Sequence, residues 1–483
     1  MIKRVMIVLF ILLVIISSLI GYQWLMYEFQ GEQTVKVQEA PIEMIVSIVH
    51  KDGKLKITES ASNLQQSSFL VKVPLDVEDF QCVFDNEQQC TVKKDGVFYR
   101  IDVGNETSLT VTYELPVASN VTSIWLDDWS IKFLSDNDEE LLANYNVTLS
   151  EEENKTITWA AGAQRRAEVE KENLSYYAWT KNGTSVFPIY MTKSSIEKIS
   201  EYEPTLSIYA LHPDSFTNIG EWITQLPEQG GLTVIQSNND KVYMAPHLVV
   251  VPYNLEVKKV EEYIVQSYLL YSKQPETQGI AWVWEVLPAI ILDRPVGNKK
   301  VYEMSVELIE NLSQETKQSF IEWLLSGNDK GELIELVDLD RILSNASHLE
   351  TDFFEKNGTI DGVTVPLYYY DNRPVYHGNK VISENWRAIE RNQSIHFPLL
   401  EMMESIGFSV TVFPEDELYL ITKGGNSWRF YLNETYFIYN QEDYGLTQKP
   451  LERLGDRVFI SEKWVEELLR IEVIKRDDGI YLR

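Results

Sequence analysis

Cysteine is nearly absent from this chain: 483 residues hold two, Cys82 and Cys90. They are not a CxxC pair, and no His stands near them in sequence, which argues against a redox or metal role. A polar tip at residues 85–89 lies between them. Outside the cytoplasm, two Cys at hairpin spacing predict one disulfide. Histidine is also sparse. His50, His212, His247, His348, His377 and His396 are scattered singly, and no two stand at metal-ligand spacing. Basic residues are outnumbered, 43 Lys and Arg against 73 Asp and Glu, for a net charge of −30. That balance argues against nucleic acid as a partner, and against anionic lipid headgroups for the soluble part. Past the first 30 residues no apolar run approaches membrane-spanning length; residues 286–292 are short and interrupted by Pro288. No cofactor follows from any of these residues.

What is present is enough apolar material for several cores, 44% hydrophobic and 12% aromatic. The length predicts two to four domains. Residues 1–30 read as a membrane anchor. Lys3 and Arg4 precede an apolar run at residues 5–26, no Ala-x-Ala-like site or lipobox Cys follows, and Tyr22 and Trp24 suit the far interface. The expectation is a single pass with the N-terminus inside and the bulk of the chain extracytoplasmic; a cleaved signal peptide is the alternative. Residues 33–150 read as an all-β sandwich. Its opening hairpin has runs 44–50 and 54–58 flanking the Lys51-Asp52-Gly53 turn. Residues 151–200, with charge runs at 151–155 and 165–172, read as a polar connecting segment.

The chain is organised around residues 257–291, expected as two successive helices within an α+β domain at residues 201–365. The first carries Glu261-Glu262-Tyr263-Ile264-Val265 and the second Trp282-Val283-Trp284-Glu285. A strand at 242–252 precedes them, and helices at 215–226, 313–326 and 330–344 complete the domain. Glu262 and Glu285 lie 23 positions apart (285 − 262). This arrangement resembles the metal-site helices of a gluzincin, a thermolysin- or aminopeptidase-like zinc peptidase, with Trp282-x-x-Glu285 similar to the second-helix run of the aminopeptidase-like members. The resemblance implies a His-Glu-x-x-His helix, with two imidazoles four apart on one face and a general-base Glu between them. Glu262 matches the base and Glu285 the third-ligand position. The His positions hold Glu261 and Val265, and Val265 cannot coordinate a metal. Glu262 and Glu285 are therefore remnant positions, with no catalytic or metal-binding residue assigned. In a Glu-rich chain they also read as solvated helix-face carboxylates.

Residues 370–483 contain an internal repeat of strand, helix, strand, turn, strand at an offset of 63 (458 − 395). Each half needs the other to bury one face of its helix. The pattern resembles the stalk domain named after the N-terminal domain of copper amine oxidases, common on Gram-positive surface proteins. Gly407 matches the helix-ending glycine of that domain's motif, and Arg470 replaces it in the second copy. The resemblance implies a two-repeat α+β stalk without the catalytic copper site. His377 and His396 have no ligand partners at workable spacing.

The expected whole is a membrane-anchored extracytoplasmic protein. Its pseudo-metallopeptidase domain would serve binding or scaffolding at the cell envelope, with an envelope protein, peptide or cell-wall component as partner. Two alternatives stand beside it: a cell-surface hydrolase using Glu262 and Glu285 as acid and base, and an adhesion or scaffold protein unrelated to zincins. Trp282, Trp284, Tyr263 and Tyr268 read as helix core or as a cleft lining.

Overall fold

The computed structural model describes residues 40–483, apart from residue 97 and short stretches at 119–120, 136–137, 154–155, 172–173, 184–185, 200–201, 203–204, 217–218, 227–230, 274–280 and 327–333. The expected membrane segment at residues 5–26 lies outside the described residues, and no described helix is long and apolar enough to cross a membrane. The chain divides into two units, Met1–Ser195 and Ile196–Arg483.

The described part of the first unit is built of strands alone. Ile42–Lys51 and Lys54–Ser62 form the opening hairpin, with Asp52 and Gly53 both at positive φ in its two-residue turn. They lie inside a seven-stranded sheet that also holds Ser108–Pro116, Glu78–Phe84, Ala143–Glu151, Leu174–Gly183 and Gln164–Lys171. Strict alternation along Ile42–Lys51 turns Ile42, Met44, Val46 and Ile48 inward. A four-stranded and a three-stranded sheet contribute Phe69, Val71, Trp159 and Ile189 to the same core. The expected disulfide is present: Cys82 and Cys90 are bonded, with Cα atoms 5.3 Å apart.

Residues 151–200 depart from expectation. They are not a connecting segment but hold Thr158–Ala161, Gln164–Lys171, Leu174–Gly183 and Ile189–Thr192, all strands of the first unit. The charge run at 165–172 misleads because Gln164–Lys171 is the edge strand of the large sheet, where charged side chains face water and oppose edge-to-edge pairing.

The second unit begins with a five-stranded sheet. Leu206–Ala210, Leu232–Ser237 and Leu248–Pro252 run parallel at its centre and are buried throughout, as parallel strands covered on both faces require. Residues 242–252 are a hairpin rather than one strand, because the chain turns at Pro246 and His247, the latter at φ +62°. Residues 215–226 hold two short 3-10 turns, Pro213–Phe216 and Glu221–Gln225, and not one helix. The first organising helix is Val257–Lys273. The second is broken into a 3-10 turn, Ala281–Glu285, and a short helix, Pro288–Leu292. Pro288 has no N–H and opens a helix better than it continues one. Helices Lys299–Asn311, Gln314–Leu325 and Leu336–Ser347 follow. Ser313 caps the second of these by accepting from the Thr316 N–H at 3.1 Å.

In the C-terminal segment the two halves match element for element. Ser394–Pro398, Leu399–Ser405, Ser409–Phe413 and Leu418–Lys423 correspond to Arg457–Ser461, Glu462–Leu469, Val473–Arg476 and Gly479–Leu482. The first strands of the two halves pair antiparallel, with Phe397 opposite Ile460. Those two positions are themselves 63 apart (460 − 397), so a local two-fold axis passes through the pair. Each helix packs on the other half's strand, which is why neither half buries its helix alone.

Candidate functional site

The helix Val257–Lys273 buries a stripe of Val260, Ile264, Val265, Tyr268 and Leu269 against the sheet. Its last turn is tied down by Lys273, whose Nζ donates to the Ser326 carbonyl at 2.6 Å and lies 4.3 Å from the Trp323 ring centroid. The apolar stripe leaves Glu261 and Glu262 on the flank of the helix, one mostly and one partly buried.

Both carboxylates converge on Arg294. This residue follows the Pro288–Leu292 helix, and Asp293, at φ +46°, turns the chain so that the guanidinium reaches back to the helix. Its Nη2 lies 3.2 Å from Glu261 Oε2 and donates to the Lys258 carbonyl at 2.6 Å; its Nη1 lies 3.1 Å from Glu262 Oε1. The second oxygen of each acid is also engaged. Glu261 Oε1 accepts from the Gly220 N–H at 2.8 Å and the Trp222 indole N–H at 2.9 Å. Glu262 Oε2 accepts from Lys259 Nζ and from the Gly297 N–H at 3.3 Å. Gly220 is required at its position: a Cβ there would stand 2.7 Å from the Trp222 ring. The cluster thus ties the helix to the 220–222 turn and to the 293–297 turn through charge-assisted bonds.

Glu285 sits on the 3-10 turn, exposed, with no hydrogen bond among the described residues. Neighbouring protein atoms push its carboxyl up, and Lys259 opposes them. Lys259 is thus the shared neighbour of Glu262 and Glu285. Val265 is fully buried in the core, and so are Val283 and Trp284. Tyr268 donates to the Leu325 carbonyl at 3.0 Å. These aromatics pack the core, with Tyr263 and Trp282 at its margin.

The residues present do not fit zinc. The zinc-peptidase resemblance would put two neutral imidazoles on this helix, and the two positions hold a carboxylate bonded to three N–H groups and a buried Val side chain. Among the described residues no group of three or more His, Cys, Asp or Glu is placed to hold a metal ion. His377 lies on an exposed strand end. His396 Nδ1 donates to the Ser394 carbonyl at 3.1 Å, and burial pushes its imidazole down.

Sequence reasoning missed Arg294, Gly220 and Trp222, each more than 30 residues from the Glu pair. It also passed over Lys259, although the spacing of three residues to Glu262 on one helix face could have signalled that pair.

No protein-family model matches the chain, and no curated protein matches it. Among solved structures it is similar to an M1 zinc metallopeptidase from Deinococcus radiodurans, at 9% identity and a TM-score of 0.45, over 68% of this chain and 95% of that one. A mutant M1 zinc metallopeptidase from that organism, bound to a Tyr-Ser-Ala substrate, matches at 12% identity and a TM-score of 0.43 over the same shares. Yeast LTA4 hydrolase matches at 10% identity and a TM-score of 0.36, over 52% of this chain and 48% of that one. At these identities and scores the likenesses bear on neither activity nor ligand.

Proposed function

We propose that the chain is a membrane-anchored extracytoplasmic protein without catalytic activity, whose zinc-peptidase-like central segment is kept for binding or scaffolding at the cell envelope. The observation that carries this reading is the Arg294 clamp on Glu261 and Glu262. A general base must be free to take a proton from water. Glu262 instead holds Arg294, Lys259 and the Gly297 N–H, and the neighbouring acid is equally occupied. The same clamp argues against the alternative hydrolase, in which Glu262 and Glu285 would act as acid and base.

The anchoring rests on the apolar run at residues 5–26 behind Lys3 and Arg4. The extracytoplasmic placement is supported by the Cys82–Cys90 bond, which persists in an oxidising compartment. The repeat at residues 394–482 would act as a stalk of the kind found on Gram-positive surface proteins. The test is metal content and peptide cleavage together, on the full-length chain equilibrated with zinc and dialysed. The expected result is no retained zinc and no cleavage. Stoichiometric zinc, or a cleavage activity that disappears in Glu262→Gln, would overturn the reading.

A further inference from the structure

The five-stranded meander in the C-terminal segment, from Ser409–Phe413 to Glu442–Gly445, has two unlike faces. One carries Tyr419, Ile421, Trp428, Phe430 and Phe437 into the core. The other faces away from that core, yet it is not polar. Its register sets Phe413 opposite Leu418 and Leu418 opposite Tyr431, and the Tyr436 ring follows 5.3 Å from that of Tyr431. The adjacent row runs from Thr411 through Leu420, Arg429 and Ile438 to Asp443. Phe413 is 41% exposed and Tyr436 37%. An apolar ladder across a solvent-facing sheet is a surface that ordinarily has a partner.

The charge around it has one dominant sign. The turns at the Phe413–Tyr436 end bring up Glu415, Asp416 and Glu434, and Asp443 closes the second row. None of these four carboxylates has an ion pair or a side-chain hydrogen bond among the described residues, and Arg429 is the one cation in the two rows. Glu434 lies in the turn that joins the strands of Tyr431 and Tyr436, and the register sets Asp443 opposite Ile438, two residues from Tyr436 on the same face. Aromatic faces next to free carboxylates favour a cation, and an apolar row beside them favours a chain with alternating side chains.

We propose that this outer face docks a basic polypeptide segment. Its Lys or Arg side chains would lie over the Tyr431–Tyr436 pair and against Glu434 and Asp443, and its apolar side chains would cover Leu418, Leu420 and Ile438. The proposal stands independently of the reading of the Glu261–Glu262 cluster.

The test uses the full-length chain in zwitterionic nanodiscs and labelled decapeptides of alternating Lys-Leu and Glu-Leu, read by fluorescence anisotropy against empty nanodiscs. Saturable binding of the Lys-Leu peptide alone is expected. Tyr431→Ser with Tyr436→Ser, which leaves every charge in place, should weaken it about tenfold, and so should Glu434→Gln with Asp443→Asn. Glu310→Gln with Asp361→Asn, which removes the same charge elsewhere, should leave it unchanged. Binding that ignores the tyrosine pair, or that falls equally in the Glu310 and Asp361 control, is general attraction to a chain of charge −30 and overturns the proposal. So does binding of the Glu-Leu peptide. If the tyrosine variant melts early, the isosteric Glu434 and Asp443 variant decides. A dimer that forms without peptide and is lost in the tyrosine variant assigns the face to a second copy and likewise overturns the proposal.

Discussion

Glu59 should make the first unit lose stability as the pH rises from about 4.5 to 7. The residue points inward from the strand Lys54–Ser62 and is fully buried. Its partners are the Tyr113 hydroxyl, the Ser130 hydroxyl at 2.8 Å and the Ile131 N–H at 3.1 Å; among the described residues no basic side chain acts on it. Burial pushes its carboxyl up to about 7, against the hydrogen bonds that oppose the shift. Proton counting gives the same direction. The Tyr113 oxygen touches both a Glu59 oxygen and the Trp129 carbonyl, the latter at 2.7 Å, and one hydroxyl proton cannot serve two acceptors. A protonated Glu59 donates to Tyr113 and frees Tyr113 to donate to Trp129.

The folded pKa lies above the ordinary value of 4.5, so the folded state holds the proton longer than the unfolded one. The contribution is fully present below pH 4.5, falls as the pH rises, and is gone once the pH passes about 7. At about 1.4 kcal/mol per pH unit the loss is about 3 kcal/mol. Glu59→Gln keeps the shape but cannot ionise, and any hydrogen bond its amide loses is lost equally at every pH. Urea unfolding of both proteins from about pH 4 to 8.5, read by tryptophan fluorescence, isolates the group, because other titrations cancel in the difference. The stability of Glu59→Gln relative to the parent should climb by about 3 kcal/mol between pH 4.5 and 7 and then level off. A difference that stays flat, or that falls with pH, would refute the assignment of a neutral buried acid.

Three further outcomes follow. Arg470→Gly should raise the stability of the C-terminal repeat by about 0.5–1 kcal/mol, measured by thermal unfolding, because Arg470 sits at φ +60° where its counterpart Gly407 sits at +83°. Cys82→Ser with Cys90→Ser should lower the stability of the first unit by about 2–3 kcal/mol in urea, the loop-closure value for a sequence separation of 8. Arg294→Met should lower the melting temperature of the second unit through a loss of about 2 kcal/mol. It leaves two adjacent acids without their shared cation, at a position about a quarter exposed and therefore partly screened. The same variant should bind no zinc by metal analysis.

Local pattern carried far in this chain, and it failed where burial or a turn was decided at a distance. The hairpin at 42–62, the disulfide and the 63-residue repeat were legible because each is set by near neighbours: alternation, a two-residue turn, a strand-helix-strand run. The strand Leu174–Gly183 was not, although Ser175, Tyr177 and Trp179 alternate inward, because the charge of its edge neighbour Gln164–Lys171 dominated the window. Residues 242–252 read as one strand because nine residues of apolar character outweighed the Pro-His pair among them, and the pair turned the chain. The second organising helix was overextended for a related reason. Its apolar content suited a helix, and Pro288 moved the helix start to the far side of the 3-10 turn.

The Glu261–Glu262 pair shows how a site's residues can be legible while its chemistry is not. Two adjacent carboxylates held away from water need a positive charge near both, and the sequence shows the pair without showing its burial or the source of that charge. In the zinc-peptidase resemblance the charge would be a metal ion. In the folded chain it is Arg294, brought in from 32 residues away by a left-handed turn at Asp293 that no local pattern announces. A guanidinium forks between two carboxylates, but it has no open coordination position and does not lower the pKa of a bound water, as a metal ion does. Glu261→His with Val265→His would therefore not suffice to build a metal site here. Arg294 would still occupy the carboxylate that the chemistry needs free, and the second imidazole would have to leave the position of Val265, which is packed without solvent contact in the core.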